Sequence, residues 1–399
     1  MNKIWLLAIV YITALIHINA QTDTSSVAAP LDSSTTVSLV TFYPGDESFA
    51  IYGHTEIRIQ QFGQDYYYNY GVFDFNSPGF IYRFVTGDAM YYCVPIPAKY
   101  ARTGMEGRRM VEQRLNLTQS QAERVRNYLI VNSLPDNRAY QYRYLTDNCS
   151  TRPRDIIENA LDDDSLHYGE APRNTTYRKM MTHYGKNYPW QQFGIDLVLG
   201  SKLDKPLDYR QQMFVPMVLM EAFDGATLMR DGQWVPLVSE TDVVVDGSEE
   251  GIVLPPTPWW RTPLAVSIAI LILAIILTVR DVKRRRVTLW FDTAFFAMLG
   301  IIGCMIAFLI TMSHHEALSP NYNLLWAHPL ALIAAILTPL KHTQRILRLY
   351  HGLNAVVMVL TLAGWYFLPQ AANMAFFPLM LTSLLRSISF ILSTRTLER

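Results

Sequence analysis

Five apolar runs in the last third of the chain set the strongest limit on its fold: roughly 264–279, 291–311, 325–340, 350–368 and 373–393. Crossing a bilayer takes about 20 mostly apolar residues in a helix, because lipid offers no partner to backbone N–H and C=O groups. The first and third runs are a little short, and flanking Trp and Pro residues extend them. The runs therefore predict a five-helix membrane domain over 261–399. The segments between them differ in charge. "RDVKRRR" (280–286), "KHTQRILR" (341–348) and "STRTLER" (393–399) are basic, whereas "SHHEALSPNYN" (313–323) and "PQAAN" (369–373) hold no Lys or Arg. Basic loops stay in the cytoplasm, so the C-terminus is expected inside and residues 21–260 outside. Trp259, Trp260, Trp290 and Trp326 fall at the expected interfaces, where amphipathic rings sit well.

The N-terminus agrees with export. "MNK" is a basic start, "IWLLAIVYITALIHI" an apolar stretch, and "NA" before Gln21 a small-residue exit. Residues 1–20 read as a signal peptide, followed by Gln rather than a lipid-bearing Cys. "TDTSSVAAPLDSSTT" (22–36) and "GSEEGIVLPPTP" (247–258) read as linkers. Between them lie enough residues for one full core. The formal net charge is +0, which gives no footprint for nucleic acid.

Within 21–260, "TVSLVTFYP" (36–44), "GHTEIRIQQF" (53–62), "DYYYNYGVFDF" (65–75) and "MYYCVPIP" (90–97) alternate or are aromatic-rich, as strands are. "LTQSQAERVRNYLIVNSL" (117–134) opens with Thr118 and Gln121 in capping-box spacing and predicts a helix buried through Ala122, Val125 and Leu129. "YQYRYL" (140–145) reads as a short strand and "RPRDIIENAL" (152–161) as a helix with Pro153 in its first turn. "ATLMRDGQWVPLV" (226–238) reads as a hairpin turning at Asp231–Gly232. An α+β exported domain results.

"TDNCSTRPRD" (146–155) places Cys149 in a polar stretch just before a helix. The partial positive charge of a helix N-terminus favours a thiolate, and its N–H groups suit an oxyanion. The base must come from His54, His167 or His183. His54 stands on a strand beside Glu56 and Arg58, and the other two lie in polar, loop-like stretches. A bridge between Cys149 and Cys93 is the competing reading, since disulfides persist outside the cytoplasm. Cys93 sits among apolar strand residues, where a free thiol simply packs, and Cys304 lies inside a membrane run. The adjacent His314, His315 and Glu316 lack zinc-motif spacing and read as part of an outer loop, with no metal called for.

"YGHTEIRI", "YYNYGVFDF", "QRLNLT" and "DNCSTRPRDII", in this order, resemble the Lnb-type lipoprotein N-acyltransferase family of Bacteroidetes-type bacteria. The resemblance covers most of the chain. It implies a permuted papain-like (NlpC/P60-like) exported domain followed by the all-α five-helix membrane domain. It also implies Cys149 as nucleophile, His54 as base, and Asn69 as the group orienting His54, with Glu56 as rival for that role. The implied reaction moves an acyl chain from a phospholipid, through a Cys149 thioester, to the N-terminal amine of a diacylated lipoprotein. It needs no cofactor, and it places the chain in a bacterial inner membrane with its catalytic domain in the periplasm. A membrane-anchored cysteine peptidase or amidase acting on cell-wall peptides, and a non-catalytic tethered binding protein, are the alternatives.

Overall fold

The computed structural model describes residues 36–394 except 48, 62, 104–106, 162–163 and 172–173. The expected signal peptide, most of the 22–36 linker and most of the basic 393–399 tail lie outside the described residues. The chain divides into two compact units that interleave in sequence. Of the described residues, 36–80, 88–173 and 208–253 form the first, and 81–87, 174–207 and 254–394 form the second.

The first unit is built on a seven-stranded antiparallel sheet. Its strands are β1 (Thr36–Phe42), β2 (His54–Gln61), β3 (Gln64–Val72), β4 (Met90–Pro97), β5 (Met110–Leu115), β6 (Ala139–Gln141) and β10 (Val238–Val245), ordered β10-β5-β1-β2-β3-β4-β6. A second sheet joins β7 (Ser165–His167), β8 (Thr227–Arg230) and β9 (Gln233–Pro236). Strand residues Leu39, Ile57 and Tyr70 pack with Val125, Leu129, Ile157 and Phe223 from three helices, Gln119–Asn132, Thr151–Ala160 and Pro216–Asp224. Val40, Phe42, Tyr67 and Met110 form a separate cluster. β1 is thus buried along nearly its whole length, which explains its run of apolar residues.

Local chemistry sets several boundaries. Thr118 caps the Gln119–Asn132 helix by accepting from Gln121 N–H, and the Gln121 side chain accepts from Thr118 N–H in return. The β8–β9 turn needs positive φ at both central residues, and Asp231 and Gly232 supply 50° and 77°.

Some expectations are corrected. The strand expected over 140–145 ends at Gln141, because Arg143 and Asp147 exchange backbone hydrogen bonds and close a turn. The 247–258 segment is not wholly a free linker: Ile252 N–H donates to Pro44 O at 2.9 Å, and a Cβ on Gly251 would stand 2.3 Å from that oxygen. β5 and β10 carry no clear apolar alternation and arise from pairing. Arg58 on β2 holds Glu112 of β5 at 2.5 Å.

The second unit contains four helices long and apolar enough to cross a membrane: Pro263–Arg284, Leu289–Met312, Gln344–Phe367 and Phe376–Thr394. Among the described residues these are four, where five were expected. The third apolar run yields only the helix Leu330–Leu337, about 12 Å at the usual rise per residue. Pro329 and Pro339 bracket it, and proline lacks the N–H that would extend the helix across it. The run packs backbone against backbone instead. Cβ atoms at Gly300 and Gly303 would meet Leu332 N at 2.1 Å and His328 C at 2.4 Å, the close approach that small residues permit in membranes. Arg386 is fully buried among these helices, paired with Asp281 at 2.7 Å and Asp292 at 2.5 Å.

Candidate active site

Antiparallel pairing sets Phe42 opposite His54 and Glu56 opposite Asn69. His54 and Glu56 are two apart on β2 and so point to the same face. His54 Nε2 lies 3.1 Å from Asn69 Oδ1 and 3.5 Å from Glu56 Oε1. Gly71 N–H donates to the same Asn69 oxygen at 2.6 Å. A backbone N–H only donates, so the atom it faces must be the amide oxygen, and His54 Nε2 must carry the proton it shares with that oxygen. Nδ1 is left to exchange a proton with a thiol. The pairing of β3 with β4 shifts register between Asn69 and Val72, and at this irregularity the chain comes close to His54. A Cβ at Gly71 would stand 2.7 Å from His54 Cε1.

Cys149 arrives from the other side. Asn148 fixes its loop: its side-chain oxygen accepts from Ser150 and Thr151 N–H at 2.8 and 2.9 Å, and its amide donates to Tyr144 O and Phe214 O. Ser150 Oγ donates to Met213 O at 2.7 Å. The nucleophile loop is therefore held to the Met213–Phe214 backbone on both sides of Cys149. The Ser150 and Thr151 N–H groups, expected to be open to an oxyanion, are taken by Asn148.

The thiol and imidazole lie within hydrogen-bonding reach. Burial opposes both charges, yet the charge and hydrogen bond of His54, with the N–H groups of Thr55 and Cys149 itself, hold the thiol below its ordinary value. Burial likewise lowers His54, but Cys149 and then Glu56 outweigh it and raise His54 to about 10. The two directions agree on a thiolate–imidazolium pair. Pairing of β2 with β3 starts at Glu56, so Thr55 N–H lies just beyond that ladder and is able to face the thiol. Glu56 is fully buried and faces His54 through Oε1. Tyr91 and Tyr142 stack at 4.2 Å between centroids, and both feel the Cys149 charge.

The structure thus brings Cys149, His54, Asn69 and Glu56 together. It does not bring in the other sequence candidates. His167 lies on β7 against Trp234, and His183 ends the helix Tyr177–Tyr184. Cys93 is free and fully buried, its thiol pushed up to about 12 by burial, and Cys304 is free on its membrane helix. His315 bonds Phe84 O at 2.9 Å, and His314 N–H donates to Thr86 O; these contacts fasten a loop. No metal-holding group of three or more His, Cys, Asp or Glu occurs among the described residues. Gly71, Asn148 as cap, Thr55 N–H and the Met213–Phe214 carbonyls escaped the sequence reading. Only the Asn-Cys-Ser-Thr order, with Asn three before the helix-starting Thr151, carried a trace of the cap.

Two family models match the chain: the Lnb N-terminal periplasmic domain over residues 23–182 and the Lnb transmembrane domain over residues 256–397. No curated protein and no solved structure matches.

Proposed function

The chain belongs to the Lnb-type family, as a membrane protein with a periplasmic domain, and from that premise we propose that it is a cysteine-dependent lipoprotein N-acyltransferase of the bacterial inner membrane. The observation that carries this reading is the paired Cys149 thiol and His54 imidazole, with Asn69 and Glu56 behind the imidazole. The order of a His-bearing strand before a Cys-bearing helix is that of a permuted papain-like domain, and the proposal includes that kinship.

The Cys149 thiolate attacks the ester carbonyl of a phospholipid acyl chain. The tetrahedral oxyanion draws on the Cys149 N–H, because those of Ser150 and Thr151 are engaged by Asn148. Collapse breaks the ester C–O bond. The His54 imidazolium gives its proton to the leaving lysophospholipid oxygen, and a thioester remains. The α-amine of a diacylglyceryl-cysteine then attacks the thioester, and neutral His54 takes a proton from the nitrogen. Expulsion of the thiolate leaves an amide and restores the ion pair. Asn69 keeps the proton on Nε2 throughout, and Glu56 favours the imidazolium. Tyr91 and Tyr142 offer an aromatic wall to an acyl chain.

Intact-mass measurement of the purified full chain incubated with phospholipid tests the reading. One added acyl mass, localised to Cys149 and discharged by a diacylated lipopeptide, is expected. Cys149→Ser is expected to abolish triacylation of a reporter lipoprotein while leaving membrane insertion intact. Wild-type-like triacylation by the serine variant would remove Cys149 from the chemistry, and discharge by cell-wall peptides in place of the lipopeptide would favour an amidase.

A further inference from the structure

We propose that Arg108 forms an anion subsite beside Cys149 that takes the phosphodiester of the acyl donor and so distinguishes donor from acceptor. The proposal rests on the acyl-transfer reading above and adds a specificity residue to it. Arg108 is only 8% exposed. Its Nε donates to Tyr43 O at 2.7 Å, which fixes the plane of the guanidinium, while Nη2 has no hydrogen-bond partner among the described residues. A buried cationic donor left unpaired is costly and calls for an explanation. Its position offers one. Arg108 lies two residues before Met110, which pairs with Phe42, which pairs with His54. At about 4.8 Å between strands, that is one sheet end about 10 Å across. The guanidinium feels the charges of Cys149 and Glu56 as well as those of Asp46 and Glu47 on the adjoining loop. Gly45 packs that loop down on the arginine, where a Cβ would stand 3.4 Å from Arg108 Cδ.

The chemistry of the two substrates gives the subsite a purpose. Both bring ester-linked acyl chains to one thiol. A diacylglyceryl-cysteine carries no phosphate, whereas a glycerophospholipid holds its phosphodiester one glycerol unit from the ester carbonyl. A planar guanidinium with a free N–H suits such an oxyanion. An enzyme able to feel that charge spares the esters of its own acceptor.

The test avoids acyl transfer. The rate at which iodoacetamide alkylates Cys149 in the full chain would be followed by mass spectrometry. Three additions would be compared: a short-chain ether-linked glycerophospholipid, the matching ether-linked dialkylglycerol, and inorganic phosphate. Only the phospholipid is expected to slow alkylation, by roughly tenfold or more, as a charge-assisted hydrogen bond allows. Arg108→Gln is expected to erase that difference, and Arg108→Lys to keep part of it. Equal protection by phospholipid and dialkylglycerol in the wild type overturns the subsite, whatever the fate of the variants. So does unchanged selectivity in Arg108→Gln. Protection by inorganic phosphate at the same concentration makes it a site for free phosphate and overturns the lipid assignment. A missing acyl adduct with ester lipids, set against an intact protection pattern, sinks the acyl-transfer reading and spares the subsite.

Discussion

Cys149 and His54 charge each other, and the sign of that coupling fixes a pH profile. His54 is raised to about 10 and Cys149 is lowered, so the ion pair spans the interval between them. Below the depressed thiol value Cys149 takes a proton and the nucleophile is lost; as pH rises through about 10, His54 loses the proton it must give to the leaving oxygen. Alkylation of Cys149 should therefore stay level through neutral pH, where an ordinary thiol gains about tenfold per unit. His54→Ala should move the inflection up to the ordinary thiol range or above it, because burial still opposes the thiolate, measured by alkylation rate against pH; a wild-type profile in that variant would break the pairing. Gly71 is the second case. Its missing Cβ would press on His54 Cε1, so Gly71→Ala should displace the imidazole and cut acyl-enzyme formation by tenfold to about a hundredfold, as misplacement by an ångström does. Unchanged single-turnover rates would show that the ring yields without cost. Cys149 and His54 were legible from their neighbours in sequence, a polar helix start and an alternating strand. Between Asn69 and Glu56 the sequence left the choice open, and the geometry puts both within 3.5 Å of Nε2. Gly71 and Arg108 were not legible, because what makes them matter is a contact across strands that no local pattern encodes.

Elements that announce their own ends were legible, and elements made by partners were not. The Thr118 capping box and the Asp231–Gly232 turn are written in a few adjacent residues. β5 reads as polar because Glu112 and Gln113 are satisfied from a distance, by Arg58 and by the Met220 carbonyl. β10 is the exposed sheet edge, where Glu240 and Asp242 discourage pairing with another chain. The third apolar run has helical composition, yet its prolines leave only Leu330–Leu337 helical. The junction ahead of the Thr151–Ala160 helix shows how an element and a site depend on one residue. The Asn148 side chain makes four hydrogen bonds there, two as a helix cap and two to carbonyls. Asn148→Ala removes the cap and strands buried carbonyls, at a cost of roughly 2–4 kcal/mol. Thermal unfolding in detergent should show that loss together with slower alkylation of Cys149. Loss of stability with undiminished thiol reactivity would mean that the loop is held without its cap.

At the scale of the whole molecule, the short third segment bears on which side of the membrane each loop occupies. An eight-residue helix of about 12 Å does not span a hydrocarbon core of about 30 Å. Irregular backbone at membrane depth is tolerated where protein covers it, and the close packing of His328 and Leu332 on Gly303 and Gly300 gives that cover. The loop charges predict a crossing here: 313–323 has no Lys or Arg, while 341–348 holds several. Crossing would keep the parity of five passages and put the 280–286 and 341–348 loops on one side of the membrane, opposite 313–323. Failure to cross would put 313–323 and 341–348 together on one face. Single cysteines at Ser319 and Thr343, in a chain with Cys93, Cys149 and Cys304 replaced, separate these cases. A membrane-impermeant thiol reagent, applied to intact cells with a permeabilised outer barrier, should label position 319 and spare 343. Labelling of both would mean that the third segment turns back within the membrane. Labelling of 343 alone would invert the topology and move the 313–323 loop to the cytoplasm.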